Sequence, residues 1–592
     1  MATRALSQLG GPTSGGGRAG QPLPGQRQRA QRSARQRAMV VMLMFLAPPL
    51  LFGARLVDLG VNQARPLGTA EIGSAAPPRA DIVDRNGVEL ARTFEAYAVS
   101  VEPRRLASDP RELARQIAAI LPDTDAGAIF DELTHSGSFR YLARRVLPSE
   151  AQRINDLGEP AIHLSREAER LYPNFNLAAH AIGYPDDQGH GVAGVERQFD
   201  ERLSSSDGRA EPLALSIDVR VQQALEHELG TLYQAQRAEG AVGVVLDVDS
   251  GEVVAMTSLP DFNPNAPGQA GDEARYNKAS FATYELGSTF KAITIASALE
   301  AGTIDSIAKR YDASAPIQMG RFRIRDDHAK NRWLSVPEVF IHSSNIGTAK
   351  IAVEAGRDVQ RATLEKLGML APLEIELPER ARPQFPSLER WSELSTMTIS
   401  YGHGISVTPL HLAGAYAALV NGGIYRQPTL IRQDGPRPGA RVFSPETSAS
   451  MRQLLRLTVT DGTGRRADAP GYRVGGKTGT AEKNASGRYQ RGTNVSTFAA
   501  AFPMDAPRYV IIAMVDDPRG SKESAGFRTA GMVVAPAVKR LVERIGPLLG
   551  VKPEPTRDLD IAALQAGLNE AQAGGNEGCG WQRSLTAAMT RR

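Results

Sequence analysis

A hydroxyl stands three residues ahead of an amine in Tyr284-Glu-Leu-Gly-Ser-Thr-Phe-Lys291, where Ser288 precedes Lys291. A serine attacks a carbonyl only after a base takes its proton, and a partly desolvated lysine can be that base. Residues three apart share a helix face, so the Lys291 amine can reach the Ser288 oxygen if a helix begins here. Ile293, Ile295, Ala296 and Leu299 supply the apolar positions of such a helix, predicted over Lys291 to Glu300 with Gly302 as its stop. Ser288 would then lie in the first turn, where free backbone N–H groups and the positive end of the dipole favour a developing anion.

A Ser-x-x-Lys string also arises by chance, and Ser306-Ile-Ala-Lys309 is such a decoy, since it runs into Arg310-Tyr-Asp with no apolar helix behind it. Two later strings add chemistry. In Ser343-Ser-Asn345 the Ser343 hydroxyl could relay a proton, and the Asn345 amide could bond a peptide carbonyl. Turns and helix caps use the same residues, so this string carries little alone. In Gly475-Gly-Lys-Thr-Gly-Thr-Ala481, Lys477 offers a positive charge, and Thr478 and Thr480 offer hydroxyls to a carboxylate. Gly479 would let a ligand backbone approach and pair like an added strand. Gly471 to Thr478 formally fits a phosphate loop. That loop should open a long helix, whereas Thr478 is followed by the loop-like Gly479 to Gly487.

These residues need a scaffold, and the length allows roughly two to four domains. Asn86-Gly87 between apolar-alternating runs predicts a hairpin, and Tyr97 to Val101 the next strand. Pro110 to Ile120 and Ala126 to Leu133 have helical periodicity, as does Val219 to Leu232. Ala241 to Val248 reads as a buried strand that turns at Asp249-Ser-Gly251 into a second, Glu252 to Thr257. A strand pair leading to the Ser288 helix is an α+β layout, with helices on an antiparallel sheet.

Seven arginines and no acidic residue lie in residues 1–37, and subtracting them from the formal net charge of +4 leaves −3 for the rest. The basic character therefore belongs to that stretch, read as a disordered cytoplasmic tail, and no nucleic-acid-binding domain is expected. Residues 38–57 are almost wholly apolar and long enough for one membrane span. Pro48 and Pro49 would kink it. The arginine-loaded flank keeps the preceding tail cytoplasmic and places residue 58 onward outside. A signal anchor fits better than a cleaved signal peptide, because no small-x-small site is evident. Cys579, the single cysteine, excludes an intrachain disulfide, and no His-Glu-x-x-His or other metal pattern occurs.

Ser-x-x-Lys, Ser-x-Asn and Lys-Thr-Gly follow one another about 55 and 130 residues apart behind an anchor, a set shared by penicillin-binding proteins and serine β-lactamases. Together with Arg85-Asn-Gly87, Arg170-Leu-Tyr-Pro173, Gly194-Val-Glu196, Tyr401-Gly-His-Gly-Ile-Ser-Val-Thr-Pro-Leu410 and Lys477-Thr-Gly-Thr-Ala481, it resembles the class B penicillin-binding proteins from about residue 38 to 545. The likeness is nearest to their division-specific, septal type; the elongation-specific type is the alternative. Leu286 stands where that family usually has proline, and Ala80 where it more often has glycine.

The resemblance implies an α+β transpeptidase domain over 206–548 and a stalk like the penicillin-binding-protein dimerisation domain over 58–205. Residues 549–592, polar and Gly-rich with one short amphipathic run at Ile561 to Ala571, resemble nothing in the family and are expected to be disordered. It further implies that Ser288 attacks the penultimate D-Ala of a peptidoglycan stem peptide, with Lys291 as base and Ser343 and Lys477 relaying the proton. The N–H groups of Ser288 and Thr480 would form the oxyanion hole. Thr478, Gly479 and Thr480 would bind the substrate, and Asn345 would complete the site. The amine of a second stem peptide would then resolve the acyl-enzyme, β-lactams would block it, and no metal or organic cofactor would be required. Implied partners are a membrane glycan polymerase and other division proteins, at the septum of the bacterial inner membrane. A hydrolase of the same fold and a non-catalytic division scaffold are the competing readings.

Overall fold

The computed structural model describes residues 78–121, 124–485 and 488–573. The arginine-rich tail, the apolar stretch 38–57 and Cys579 lie outside the described residues. Among the described residues, no helix is long and apolar enough to cross a membrane.

The N-terminal region is built on a long strand, β1 (Glu89–Val101), which pairs antiparallel with β2 (Arg140–Val146) and β3 (Ile162–Leu171). The Asn86-Gly87 turn forms as its residues predict. Asp84 Oδ1 accepts the N–H groups of Asn86 and Val88, and Ile82–Val83 pairs back onto the start of β1. Helices α1 (Pro110–Ile120), α2 (Ala126–Leu133) and α3 (Pro148–Asn155) cover the far end of this sheet. Asp109 and Asp125 cap the first two, and Leu113, Ile117, Ile129 and Ile154 join Val99 and Val101 in a separate small core.

The second region is a five-stranded antiparallel sheet clad in helices. In chain order its elements begin with α4 (Val219–Gln236), β4 (Gly240–Asp247), β5 (Val253–Leu259), α5 (Phe290–Glu300), α6 (Val336–Ile341), α7 (Asn345–Ala355) and α8 (Glu393–Ser400). They continue with α9 (Pro409–Val420), α10 (Pro445–Thr460), β6 (Gly475–Ala485), β7 (Arg488–Phe502), β8 (Tyr509–Asp516) and α11 (Ala535–Leu548). The strand order is β6-β7-β8-β4-β5, which leaves β6 at an edge.

Period-two alternation divides this sheet between two cores. Val242, Val244 and Leu246 of β4 and Val510, Ile512 and Met514 of β8 face a core shared with α5, α9 and α10. Their neighbours Ala241, Val245, Ile511, Ala513 and Val515 face a second core, with Leu225 and Leu229 of α4 and Val538 and Leu541 of α11. Burial on both faces is why these strands are continuous apolar runs instead of alternating ones.

Residues 549–573 correct one expectation. They are folded, and the amphipathic run becomes α12 (Ala562–Ala573), with Ile561, Leu564 and Leu568 buried in the larger core. The polar residues ahead of it are held by Arg456, whose guanidinium binds Asp558 and Asp468 and donates to the Val474 carbonyl at 2.8 Å. No periodicity announces that anchor, because Arg456 and Asp558 are 102 residues apart.

Candidate active site

The turn Gly287–Thr289 is a single 3-10 turn feeding α5, which extends the predicted helix by one residue at its start. Gly287 and Thr289 are buried while Ser288 keeps partial solvent access, so the expected nucleophile is the reachable residue of the turn. Beneath it, Thr289 Oγ1 donates to the Leu286 carbonyl at 2.9 Å, and the buried Tyr416 hydroxyl donates to the Thr289 carbonyl at 2.8 Å. Leu286, in the position noted for proline, is 1% exposed and packs into the core, so the turn holds its shape without the ring.

Two glycines allow the surrounding backbones to close on this turn. A Cβ on Gly479 of β6 would meet the Leu286 carbonyl oxygen at 2.5 Å, and one on Gly402 (φ +80°) would meet the Gly287 carbonyl oxygen at 2.2 Å. The Thr480 carbonyl oxygen also lies 2.9 Å from where a Gly287 Cβ would be. A strand residue directs its N–H and C=O the same way, so the Thr480 N–H opens toward the Ser288 turn from the unpaired edge of the sheet.

Lys291 and Lys477 are both fully buried and converge on one hydroxyl. Ser343 Oγ accepts from Lys291 Nζ at 3.1 Å and from Lys477 Nζ at 3.0 Å. Lys291 also donates to the Ser343 carbonyl and, at 2.7 Å, to Asn345 Oδ1. Those contacts take all three of its donors, and Ser288 Oγ is not among the partners. Lys477 Nζ further donates to the Thr478 carbonyl at 3.2 Å and sits 5.7 Å above the Phe340 ring.

Burial lowers the Lys291 pKa to about 7, against the raising influence of Asp326 and Asp327. Burial, and then the Lys291 charge, holds Lys477 well below the ordinary lysine range. Two ammonium groups on one buried oxygen repel each other, so near neutral pH the cluster readily holds a free amine lone pair.

Ser343 adopts φ +59°, a left-handed conformation that a serine tolerates only when its surroundings impose it. Here those surroundings are explicit. Ser344 Oγ donates to Asp326 Oδ2 at 2.7 Å and caps α7 through the Gly347 N–H, and the Ile346 N–H donates to Asp326 Oδ1 at 2.9 Å. Asn345 Nδ2 donates to the Arg325 carbonyl at 3.0 Å, which leaves one of its two N–H donors for a substrate carbonyl. Asp326 and Arg325 were not anticipated from sequence. They act from 18 to 20 residues away with no motif to mark them.

Thr478 Oγ1 shares a hydrogen bond of 2.8 Å with Thr463 Oγ1, and Thr480 Oγ1 accepts weakly, at 3.4 Å, from the Ala530 N–H. Thr463 is thus a third hydroxyl beside the two expected ones, and no spacing pointed to it. The decoy is inert by comparison, since Lys309 Nζ is paired with Glu354 and bonded to the Thr303 carbonyl. The formal phosphate loop runs into an edge strand with no helix behind it. No group of His, Cys, Asp and Glu among the described residues could hold a metal ion.

The family model for the penicillin binding protein transpeptidase domain matches residues 241–539, and that for the penicillin-binding protein dimerisation domain matches residues 74–213. A curated protein of Caulobacter vibrioides, named "Probable peptidoglycan D,D-transpeptidase FtsI", is 42% identical over 80% of this chain and 82% of its own. The peptidoglycan D,D-transpeptidase FtsI of Escherichia coli K12 is 30% identical over 80% of this chain and 84% of its own. Among solved structures, penicillin binding protein 3 of Mycobacterium tuberculosis, complexed with aztreonam, superposes with a TM-score of 0.63 at 26% identity. That match covers 82% of this chain and 99% of the other.

Proposed function

From the premise that the chain belongs to the class B penicillin-binding proteins, we propose that its Ser288 centre crosslinks peptidoglycan stem peptides. The observation that carries this reading is the convergence of two buried lysines on Ser343, together with a Ser288 that keeps partial solvent access.

Lys291, with its lowered pKa, removes the Ser288 proton as the hydroxyl attacks the penultimate D-Ala carbonyl of the donor. The N–H groups of Ser288 and Thr480 receive the developing oxyanion. Lys477 and Ser343 pass a proton to the departing D-Ala amine, and Thr478 and Thr480 hold its carboxylate. Gly479 lets the Ser288 turn close on β6, and the donor backbone lies along the unpaired edge of that strand as an added strand. The amine of a second stem peptide then attacks the acyl-enzyme, releasing Ser288 and forming the crosslink. A β-lactam acylates the same oxygen and lacks a leaving group that departs, so the adduct persists.

We further propose that residues 38–57 anchor the chain in the bacterial inner membrane with the catalytic region outside. There it would work with a membrane glycan polymerase at the division septum. Similarity to proteins named FtsI supports the septal over the elongation-specific assignment.

The test is to label the full-length protein with a fluorescent penicillin and to locate the adduct by peptide mass. We expect a long-lived adduct on the peptide containing Ser288, lost in Ser288→Ala. Rapid turnover of the penicillin would instead indicate a hydrolase, and an adduct elsewhere would reject Ser288 as nucleophile.

A further inference from the structure

The hairpin formed by Ile317–Met319 and Phe322–Ile324 is joined to the catalytic centre through backbone, since Asn345 donates to the Arg325 carbonyl that ends it. One face of the hairpin is apolar and packed. Ile324 is buried with Ala349 of α7 and Met397 of α8, and Ile317, Met319 and Tyr401 close over them. The other face is cationic and open. Arg321, Arg323, Arg325 and, just beyond, Lys330 are all exposed, and none forms an ion pair with a described residue. Arg321 lies 5.1 Å over the ring of Phe322, which is itself 50% exposed.

The acids in the same stretch do not cancel this charge. Residues 321–330 carry four cations against Asp326 and Asp327, a formal surplus of two. Asp326 is already committed to Ser344 and Ile346. The buried arginines Arg79, Arg170, Arg456 and Arg473, by contrast, are each paired with a carboxylate. Unpaired guanidinium groups on a hairpin whose closing carbonyl is hydrogen-bonded to Asn345 form a ready carboxylate receptor.

We propose that this face binds the carboxylate of the amine-bearing acceptor stem peptide and steers its amine to the acyl-enzyme. The inference rests on the transpeptidase reading and adds the acceptor's binding determinant to it. The donor is not the occupant, because its carboxylate is already provided for by Thr478 and Thr480. Guanidinium groups in solvent attract an anion over a Debye length of about 8 Å at physiological salt, so the interaction raises capture and orientation more than it anchors.

The experiment uses the full-length protein, a small acyl-D-Ala thioester as donor, and two peptide acceptors that differ only in a free or an amidated carboxylate. Partition of the acyl-enzyme between water and acceptor is read by product analysis, with the penicillin acylation rate as internal reference. Wild type is expected to transfer to the free-acid acceptor about ten times better than to the amide, an advantage lost at high salt. Replacing Arg321, Arg323 and Lys330 together by serine should abolish the preference while Ser288 still acylates.

Equal transfer to both acceptors by the wild type overturns the proposal whatever the variant does. So does a variant that loses transfer to both acceptors alike, since charge would then not be what is read. Failure of the wild type to acylate at all would instead strike the transpeptidase reading itself.

Discussion

Two of the clusters of buried charge among the described residues are opposites. In the N-terminal region Arg79 and Arg170 both bind Glu196, at 2.9 and 2.7 Å, and all three side chains are nearly inaccessible. Asp200 completes Arg79, and the buried Tyr172 hydroxyl donates to Glu196 at 3.0 Å. In the catalytic region, Lys291 and Lys477 face serine, asparagine and carbonyl oxygens, with no carboxylate in contact. The first cluster compensates its charges and so fixes geometry. The second buries them uncompensated, which depresses both amines and lets Lys291 lose its proton near neutral pH. Burial alone therefore does not distinguish structural from chemical charge; the partner does.

Removing Lys291 should separate the two clusters most sharply. Lys291→Met is expected to lower the penicillin acylation rate by about 10²–10⁴-fold, the usual weight of a general base, with only a small change in melting temperature. In the wild type the rate should rise about tenfold per pH unit below about pH 7 and level off above it, because only the neutral amine accepts the serine proton. The variant should lack that limb.

Stability carries the same signature. The folded-state pKa of Lys291 lies below its unfolded value near 10.4, so between about pH 7 and that value the unfolded chain binds more protons and stability rises with pH. The penalty of the buried charge is full below pH 7. Stopped-flow acylation and calorimetry across pH 5–9 check both. A pH-independent wild-type rate would assign the base elsewhere.

The compensated cluster should respond in reverse. Glu196→Gln strands two arginines without a counter-ion and is expected to destabilise the fold by about 3–5 kcal/mol, the usual cost of breaking a buried pair from one side. Acylation per folded molecule should stay near the wild-type value. Denaturant unfolding paired with active-site titration reads both quantities. A selective loss of acylation at unchanged stability would show that this hub, too, serves the chemistry.

How much of this could be read beforehand follows from how far each determinant acts along the chain. The helices at Pro110–Ile120 and Ala126–Leu133 and the helix behind Ser288 were legible because cap, periodicity and core face sit within a dozen residues. Ser288, Lys291, Ser343, Asn345 and Lys477 were legible as residue types in order, and Lys291, Ser343, Asn345 and Lys477 meet in one hydrogen-bonded cluster. That Lys291 is bonded to Ser343 and Asn345, and not to Ser288, was not legible. The choice depends on Ser343 being forced to positive φ by contacts around Asp326. Folding of 549–573 was missed for a different reason. Its polar composition describes what faces water, whereas its anchor is Arg456 on a distant helix.

That anchor is intermediate between the two clusters and should give the smallest effect. Arg456 is 6% exposed, yet the Asp558 side chain that binds it is 45% exposed, so solvent screens the pair from one side. Asp468 and the Val474 carbonyl keep the guanidinium partnered when Asp558 is lost. Asp558→Asn is therefore expected to destabilise the protein by only about 1 kcal/mol. What should change is local. Val474 directly precedes β6, and Gln453 and Gln565 tie the same tail to α10 and to Asp461 at its end. Hydrogen exchange should quicken in residues 554–568 while the amides of β7 and β8 keep their protection. Unchanged exchange in the tail would mean that Leu564 and Leu568 hold it without the ion pair.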